Sequence, residues 1–173
     1  MANIPVRGPK LVSVPGNLHR QLPPVGDGSN SFAAGDLVVV TSGSLAKAGD
    51  ACAVALFGVT QDASHANTDI PPAVFFGENH YAVDLPNGAV LEMSLTDTSG
   101  TVGSSGPAFS AVTVGASYGL KLSASTNYQC VDKDNTTSGQ KLFKVLGLTA
   151  DADNGVAGDK NPRILVQVNN PPL

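Results

Sequence analysis

The chain has 173 residues, enough for one large domain or one domain with a tail, and at that length folding buries roughly 70% of the unfolded surface without a staple. Only 14% of its residues are charged, against about 25% in an average soluble domain, and the net charge is −4. That balance argues against a nucleic-acid partner, and no apolar run approaches the ~20 residues of a membrane-spanning helix. With 19 glycines, 12 prolines and no tryptophan, the composition suits short strands and many turns. A surface so poor in charge is better suited to an assembly than to free solution.

Residues 1–31 stand apart from the rest. They hold five of the twelve prolines (Pro5, Pro9, Pro15, Pro23 and Pro24), and no aromatic residue precedes Phe32. Proline lacks the N–H and fixes φ, so the segment reads as an extended arm that supplies no central strand. Aliphatic residues nevertheless recur along it, unlike a disordered tail. Ile4, Val6, Leu11, Val14, Leu18 and Leu22 are the apolar contact candidates, and Arg7, Lys10 and Arg20 the basic ones. Such an arm needs a surface, either its own barrel or a neighbour's. Arg7, Lys10 and Arg20 against Asp27 make residues 1–31 net +2, and the seven cations and thirteen acids that remain make residues 32–173 net −6. A basic arm beside an acidic body favours an acidic neighbour. Three cations without interleaved aromatics do not make a nucleic-acid site.

Residues 32–173 read as one all-β domain. Ala34 to Thr41 is a turn entering a β-branched strand, Leu45 to Ala48 a short helical turn, and Ala51 to Thr60 a central strand. Tyr81 to Leu85, Val90 to Leu95, Phe109 to Val114, Gly119 to Leu122, Asn127 to Val131, Lys141 to Leu148 and Arg163 to Val168 continue the series. About ten short strands at intervals of ~8–12 residues indicate a β-barrel or sandwich.

One unit occurs twice. Phe57 to Phe76 and Leu146 to Val166 each run through a Gly-x-Thr-x-Asp-Ala core, a polar loop, a proline and an apolar run. The offset is 89 residues at Gly58 and Gly147 and 90 at Pro72 and Pro162. This implies two similar strand–loop–strand halves, with Phe57, Val59, Val74, Phe76, Leu146, Leu148, Ile164 and Val166 facing the core.

Chemistry is sparse. His19, His65 and His80 lie in unrelated contexts, and neither a G-x-S-x-G elbow nor a P-loop is present. Cys52 and Cys130 lack CxxC spacing and a neighbouring His, which favours buried free thiols over a metal site or a disulfide. The loop with Asp151, Asp153, Asn154 and Asp159 has the flavour of a calcium loop but lacks the closing Glu, so Asx turns explain it better. The expectation is a chain with no enzymatic activity, no cofactor and no bound metal.

The arm, the Gly35-Asp36-Leu37-Val38-Val39-Val40-Thr41 strand and the Gly58-Val59-Thr60-Gln61-Asp62-Ala63 turn together resemble the decoration, or cement, proteins of tailed-bacteriophage heads. The later strands from Tyr118 to Val168 are similar in style to the second half of such proteins. The resemblance implies a small β-barrel made in the host cytoplasm and placed on the capsid surface. Its partners would be the major capsid protein and further copies of itself, as a trimer rather than a dimer, with no nucleic acid and no membrane. In that setting the arm is expected to lie over neighbouring subunits as a clamp. The alternative is a spike or fibre-base module that binds a host receptor or glycan, for which a chain without tryptophan is poorly equipped.

Overall fold

The computed structural model describes residues 7–15, 20–21, 32–33, 35–41, 44–60, 82–149, 160 and 162–171. The described residues form strands β1 (Lys10–Ser13), β2 (Arg20–Gln21), β3 (Leu37–Thr41), β4 (Ser44–Lys47), β5 (Gly58–Thr60), β6 (Ala82–Asp84), β7 (Val90–Thr96), β8 (Ser117–Leu122), β9 (Gln129–Asp132), β10 (Phe143–Leu148) and β11 (Arg163–Val168). Two 3-10 turns, Gly103–Ser105 and Phe109–Ala111, complete the regular structure, and no α-helix occurs among these residues.

Five strands close into a barrel in the order β7-β11-β10-β8-β9, sealed where β9 returns to pair with β7. That seal is a parallel pairing, Leu95 with Val131 and Thr96 with Asp132, whereas the other barrel pairs are antiparallel. Inward-facing residues alternate along each strand: Leu91, Met93 and Leu95 from β7, Phe143 and Val145 from β10, and Ile164, Val166 and Val168 from β11 are all buried. Because β11 fills one edge of β7, the other edge is divided. β9 takes Leu95 and Thr96, and β1 takes Val90 to Glu92.

The remaining strands form a second, antiparallel sheet in the order β2-β6-β5-β3-β4. Alternation on β3 gives this sheet two apolar faces. Leu37 and Val39 join Val59, Leu56 and Leu85 in the same core as the barrel interior. Val38 points the other way, into a small cluster with Phe32 and Leu45 that Phe57 partly covers. The all-β barrel expected from composition and turn spacing is the fold observed.

Three local expectations are corrected. Leu45 to Ala48 is not a helical turn, because Ser44–Lys47 pairs residue for residue with β3. Strand pairing overrides a weak local preference over four residues. Of the run Ala51 to Thr60 only Gly58–Thr60 is a strand, since Ala51 takes a left-handed φ of 51° that no extended strand accommodates. Phe109 to Val114 is a 3-10 turn followed by extended backbone, held by the Thr113 N–H donating to Tyr118 Oη at 2.9 Å.

The second copy of the repeated unit forms the antiparallel pair β10 with β11 in the barrel, and the first copy opens with β5 in the other sheet, its second run lying outside the described residues. In both copies a buried threonine, the last residue of β5 and the residue just after β10, donates its hydroxyl to a backbone carbonyl. Thr60 Oγ1 reaches Ala33 O at 2.6 Å and Thr149 Oγ1 reaches Arg163 O at 3.2 Å. Val59, Ile164 and Val166 face the core and Leu148 is half-buried against it, whereas Phe57, expected inside with them, is half-buried against the small cluster of Phe32, Val38 and Leu45. Leu146, expected inside, is 41% exposed. With Phe143 and Val145 facing in, Leu146 faces out by the alternation of the strand, and the register slip between Val145 and Gly147 is what brings Leu148 back to the inner side opposite Ile164. Pro72, Val74 and Phe76 lie outside the described residues.

Strand alternation separates two apolar positions of β10 energetically. Phe143→Ala should cost ~3–5 kcal/mol, the range for emptying a buried aromatic site. Leu146→Ala should change stability by less than about 0.5 kcal/mol, as for an exposed residue. Chemical denaturation of the two variants measures both. Comparable losses would place Leu146 in the core.

Candidate interaction site of the arm and barrel

The arm candidates are unevenly placed. Ile4, Val6, Leu18 and Leu22 lie outside the described residues, and Arg20 belongs to β2, where it pairs through its backbone with Val83. Arg7, Lys10, Leu11 and Val14 are brought together along β7. In the single chain residues 7–15 lie on the chain's own body, and apart from Arg20 and Gln21 the rest of the arm, expected over neighbouring subunits, lies outside the described residues. β1 and β2 are nevertheless edge strands, each at the end of a different sheet. Proline dictates that arrangement. Lys10–Ser13 is a proline-free window between Pro9 and Pro15, so its amides are free to pair, and the prolines fall where pairing ends.

Beneath the start of β1, on the outer face of the barrel, lies a polar cluster that the sequence reading did not find. Residues 91, 93 and 95 of β7 point inward, so Glu92 and Ser94 point outward, and Arg163 sits opposite Ser94 on β11. All three are buried, with Arg163 only 3% exposed. Arg163 Nε donates to Glu92 Oε1 at 2.7 Å, and Nη2 donates to the Glu92 carbonyl at 3.1 Å. Nη1 donates to the carbonyls of Arg7 and Gly8 at 3.0 and 3.1 Å, and to Ser94 Oγ at 3.3 Å. The Arg7 N–H in turn donates to Ser94 Oγ at 3.3 Å. The arm is thus gripped by its backbone, which leaves the Arg7 side chain exposed. Lys10 adds little: its ammonium is 3.9 Å from Glu92 Oε2, and its side chain is 67% exposed. Leu11, opposite Leu91, packs against the barrel core. The signal for the cluster was one charged residue in each of two apolar strands, Val90–Thr96 and Arg163–Val168.

Beside the arm opens a cleft of about 480 Å³ whose lining includes Gly8, Pro9, Phe32, Asp36, Lys47 and Tyr128. Its charges are already engaged. Lys47 Nζ lies 3.0 Å from Asp36 Oδ1 and donates to the Asn127 carbonyl at 2.9 Å. Tyr128 stays 41% exposed at its edge.

Both cysteines are free and buried. Burial pushes the Cys130 thiol up to about 12 and raises that of Cys52, so neither is a thiolate at neutral pH. The three histidines and residues 151–159 lie outside the described residues. Among the described residues no group of three or more His, Cys, Asp or Glu side chains is arranged to hold a metal ion.

Comparison with protein-family models, with curated proteins and with solved structures returns no match for this chain.

Two outcomes test the site. Arg163→Met strands a buried carboxylate and should cost ~3–5 kcal/mol, whereas adding Glu92→Leu should restore much of the loss by removing the unpaired charge. Denaturant midpoints of the single and double variants decide this, and a double variant no more stable than the single would show that the pair does not act as a unit. Asp132 offers a pH test. Burial, above all, raises its carboxyl above the ordinary carboxylate range. Its contribution to stability is therefore full below that range and is lost as pH rises through the raised value. Asp132→Asn should flatten this part of the pH profile and gain stability relative to the parent towards neutral pH. Parallel profiles for the two proteins would exclude Asp132 as the source.

Proposed function

We propose that this chain is a structural virion protein, a decoration protein that binds the outside of a tailed-bacteriophage capsid and stabilises it by bridging capsomers. The observation that carries the reading is the placement of the arm. Its two strands strap the outer edges of two sheets, and the backbone grip of Arg163 leaves arm side chains facing outward. Arg7 and Lys10 are exposed, and Val12 on the same strap is 50% exposed. Val114 and Leu146, 56% and 41% exposed, flank the backbone bond from Gly115 N–H to the Val145 carbonyl and add an apolar patch at the β8–β10 side. A rim of cations and single aliphatics suits a broad, shallow contact with an acidic protein surface.

The physics of a shell favours such a device. Internal pressure loads the seams between capsomers, and a protein that bridges a seam adds interface area without chemistry. Proline in the arm lowers the conformational entropy lost on docking. Repetition over a symmetric lattice multiplies a modest contact. On this reading the partners are the major capsid protein and further copies of the chain, as a trimer rather than a dimer.

The direct test is addition of the purified chain to undecorated capsids of its own phage, followed by sedimentation and gel quantification. Saturation at a fixed ratio to the major capsid protein is the expected result, and absence of co-sedimentation rejects the reading. Deleting Met1–Val6 removes Ile4 and Val6 but leaves the Arg163 grip intact. That variant should keep the far-ultraviolet spectrum of the parent and attach at least tenfold more weakly, about 1.4 kcal/mol. Equal attachment would mean that the first six residues are no part of the strap.

A further inference from the structure

We infer that β1 is an exchangeable strand: residues 7–13 of one copy seat on β7 and Arg163 of a second copy, so that an oligomer is tied together by its arms. The inference is independent of the capsid reading and concerns the protein alone.

The acceptor is already built, and its occupant is known. The free edge of β7 from Val90 to Glu92, with Arg163, Glu92 and Ser94 beside it, matches the carbonyls of Arg7 and Gly8, the Lys10 ammonium and the Leu11 side chain. Identical segments from two copies make identical bonds there, so the groove has no chemical means of telling them apart. Every acceptor needs a donor, because an empty groove leaves a buried guanidinium short of two carbonyl partners.

The donor is separable from its own body. β1 meets β7 at three register positions, with a slip between Leu11 and Ser13, and Lys10, Val12 and Ser13 are exposed. Among the described residues no strand lies on its far side. The tether is long enough. Six residues, Val14 to His19, separate β1 from β2 and span at most ~20 Å. If β2 also releases its two-residue pairing with β6, 23 residues from Val14 to Asp36 reach about 75 Å. Closed and exchanged forms then share the same contacts, and the balance falls to the tether and to protein concentration. A head-to-tail exchange closes on itself in a ring, which accommodates a trimer as readily as a pair.

The test uses the full chain without capsids, so its outcome is separate from that of the decoration assay. Ser13→Cys and Val90→Cys are combined in one chain at opposed positions of the β1–β7 register. Equal amounts of unlabelled and nitrogen-15-labelled protein are co-refolded, oxidised and digested, and the linked peptides are weighed. Exchange predicts pairs of mixed isotope at their statistical share, together with covalent oligomers on a non-reducing gel. Complete oxidation with only like-isotope pairs overturns the inference, since each arm has then stayed on its own barrel. Failure of the link to form in a folded protein overturns it too, because the register is absent in solution. The unmodified chain gives a second readout that does not depend on the variant folding. Native mass spectrometry should find a closed oligomer, and monomers alone at high protein concentration would rule the exchange out.

Discussion

A buried guanidinium carries five N–H donors and a charge it cannot lose, so the surrounding structure must supply acceptors on every side. Around Arg163 those acceptors come from three places in the sequence: the carboxylate and carbonyl of Glu92, the hydroxyl of Ser94, and the carbonyls of Arg7 and Gly8. Two strands of the barrel and the arm are therefore tied at a single point. Contacts as distant as 156 residues along the chain become conditions on one another. The ion pair is not an efficient way to hold two strands together, since apolar side chains of the same shape would do as well or better. What it adds is selection. An apolar surface would accept many registers of the arm, whereas two carbonyl bonds to one nitrogen fix which residues lie there.

The same logic recurs between the two sheets, this time with neutral groups. Gln129 on β9 is fully buried and meets the peptide of Leu37 on β3 at both ends. Its Oε1 accepts from the Leu37 N–H at 2.6 Å, and its Nε2 donates to the Leu37 carbonyl at 2.8 Å and to Ala48 O at 2.7 Å. Asn170 treats Leu56 alike, accepting from its N–H at 2.9 Å and donating to its carbonyl at 2.8 Å, with a further bond to Leu85 O at 2.6 Å. Each carboxamide stands in for a neighbouring strand. Backbone groups buried at the junction of barrel and sheet would otherwise lack partners, at ~1–3 kcal/mol each. The shared core is thus held by apolar packing in its middle and by amide pairs at its rim.

The sequence disclosed the elements governed by local pattern. β11 was legible to the residue because Arg163 to Val168 alternates cleanly and Asn169-Asn170-Pro171 ends it. β3 and β7 followed from their β-branched and apolar runs. The failures share a cause, which is that pairing partners are not written locally. β4 is a strand because β3 lies beside it, Ala51 breaks a run that looks continuous, and the bulge at Leu146 becomes visible only once β11 is in register. Of the arm, the described residues 7–15 and 20–21 supply only edge strands and no central one. Its prolines were read as barring a central strand, and they fall outside the two short edge strands that form. Of the candidate contact residues, Leu11 and Val14 were legible as apolar residues that needed cover. Arg163 and Glu92 were not, because a lone charge in an apolar strand reads as an outward-facing residue until something is known to cover it.

That cover has consequences for how the whole chain behaves. The barrel closes fully only along the part of β7 that β9 reaches, and the rest of that edge depends on a segment near the N-terminus. An exposed strand edge is a liability that β-proteins cover, charge or pair. Here the cover is covalently remote from the edge it protects and is held mainly through backbone carbonyls. Such a cover can move between copies without any change in the chemistry of the contact. The outward side chains of the arm then travel with it, so the copy that supplies Arg7 and Lys10 to an outside surface need not be the one whose barrel they rest on. On the strand-exchange proposal, self-association and outer contacts would be linked through one strand of four residues. The strength of that link is set by how firmly Arg163 holds the two carbonyls ahead of it.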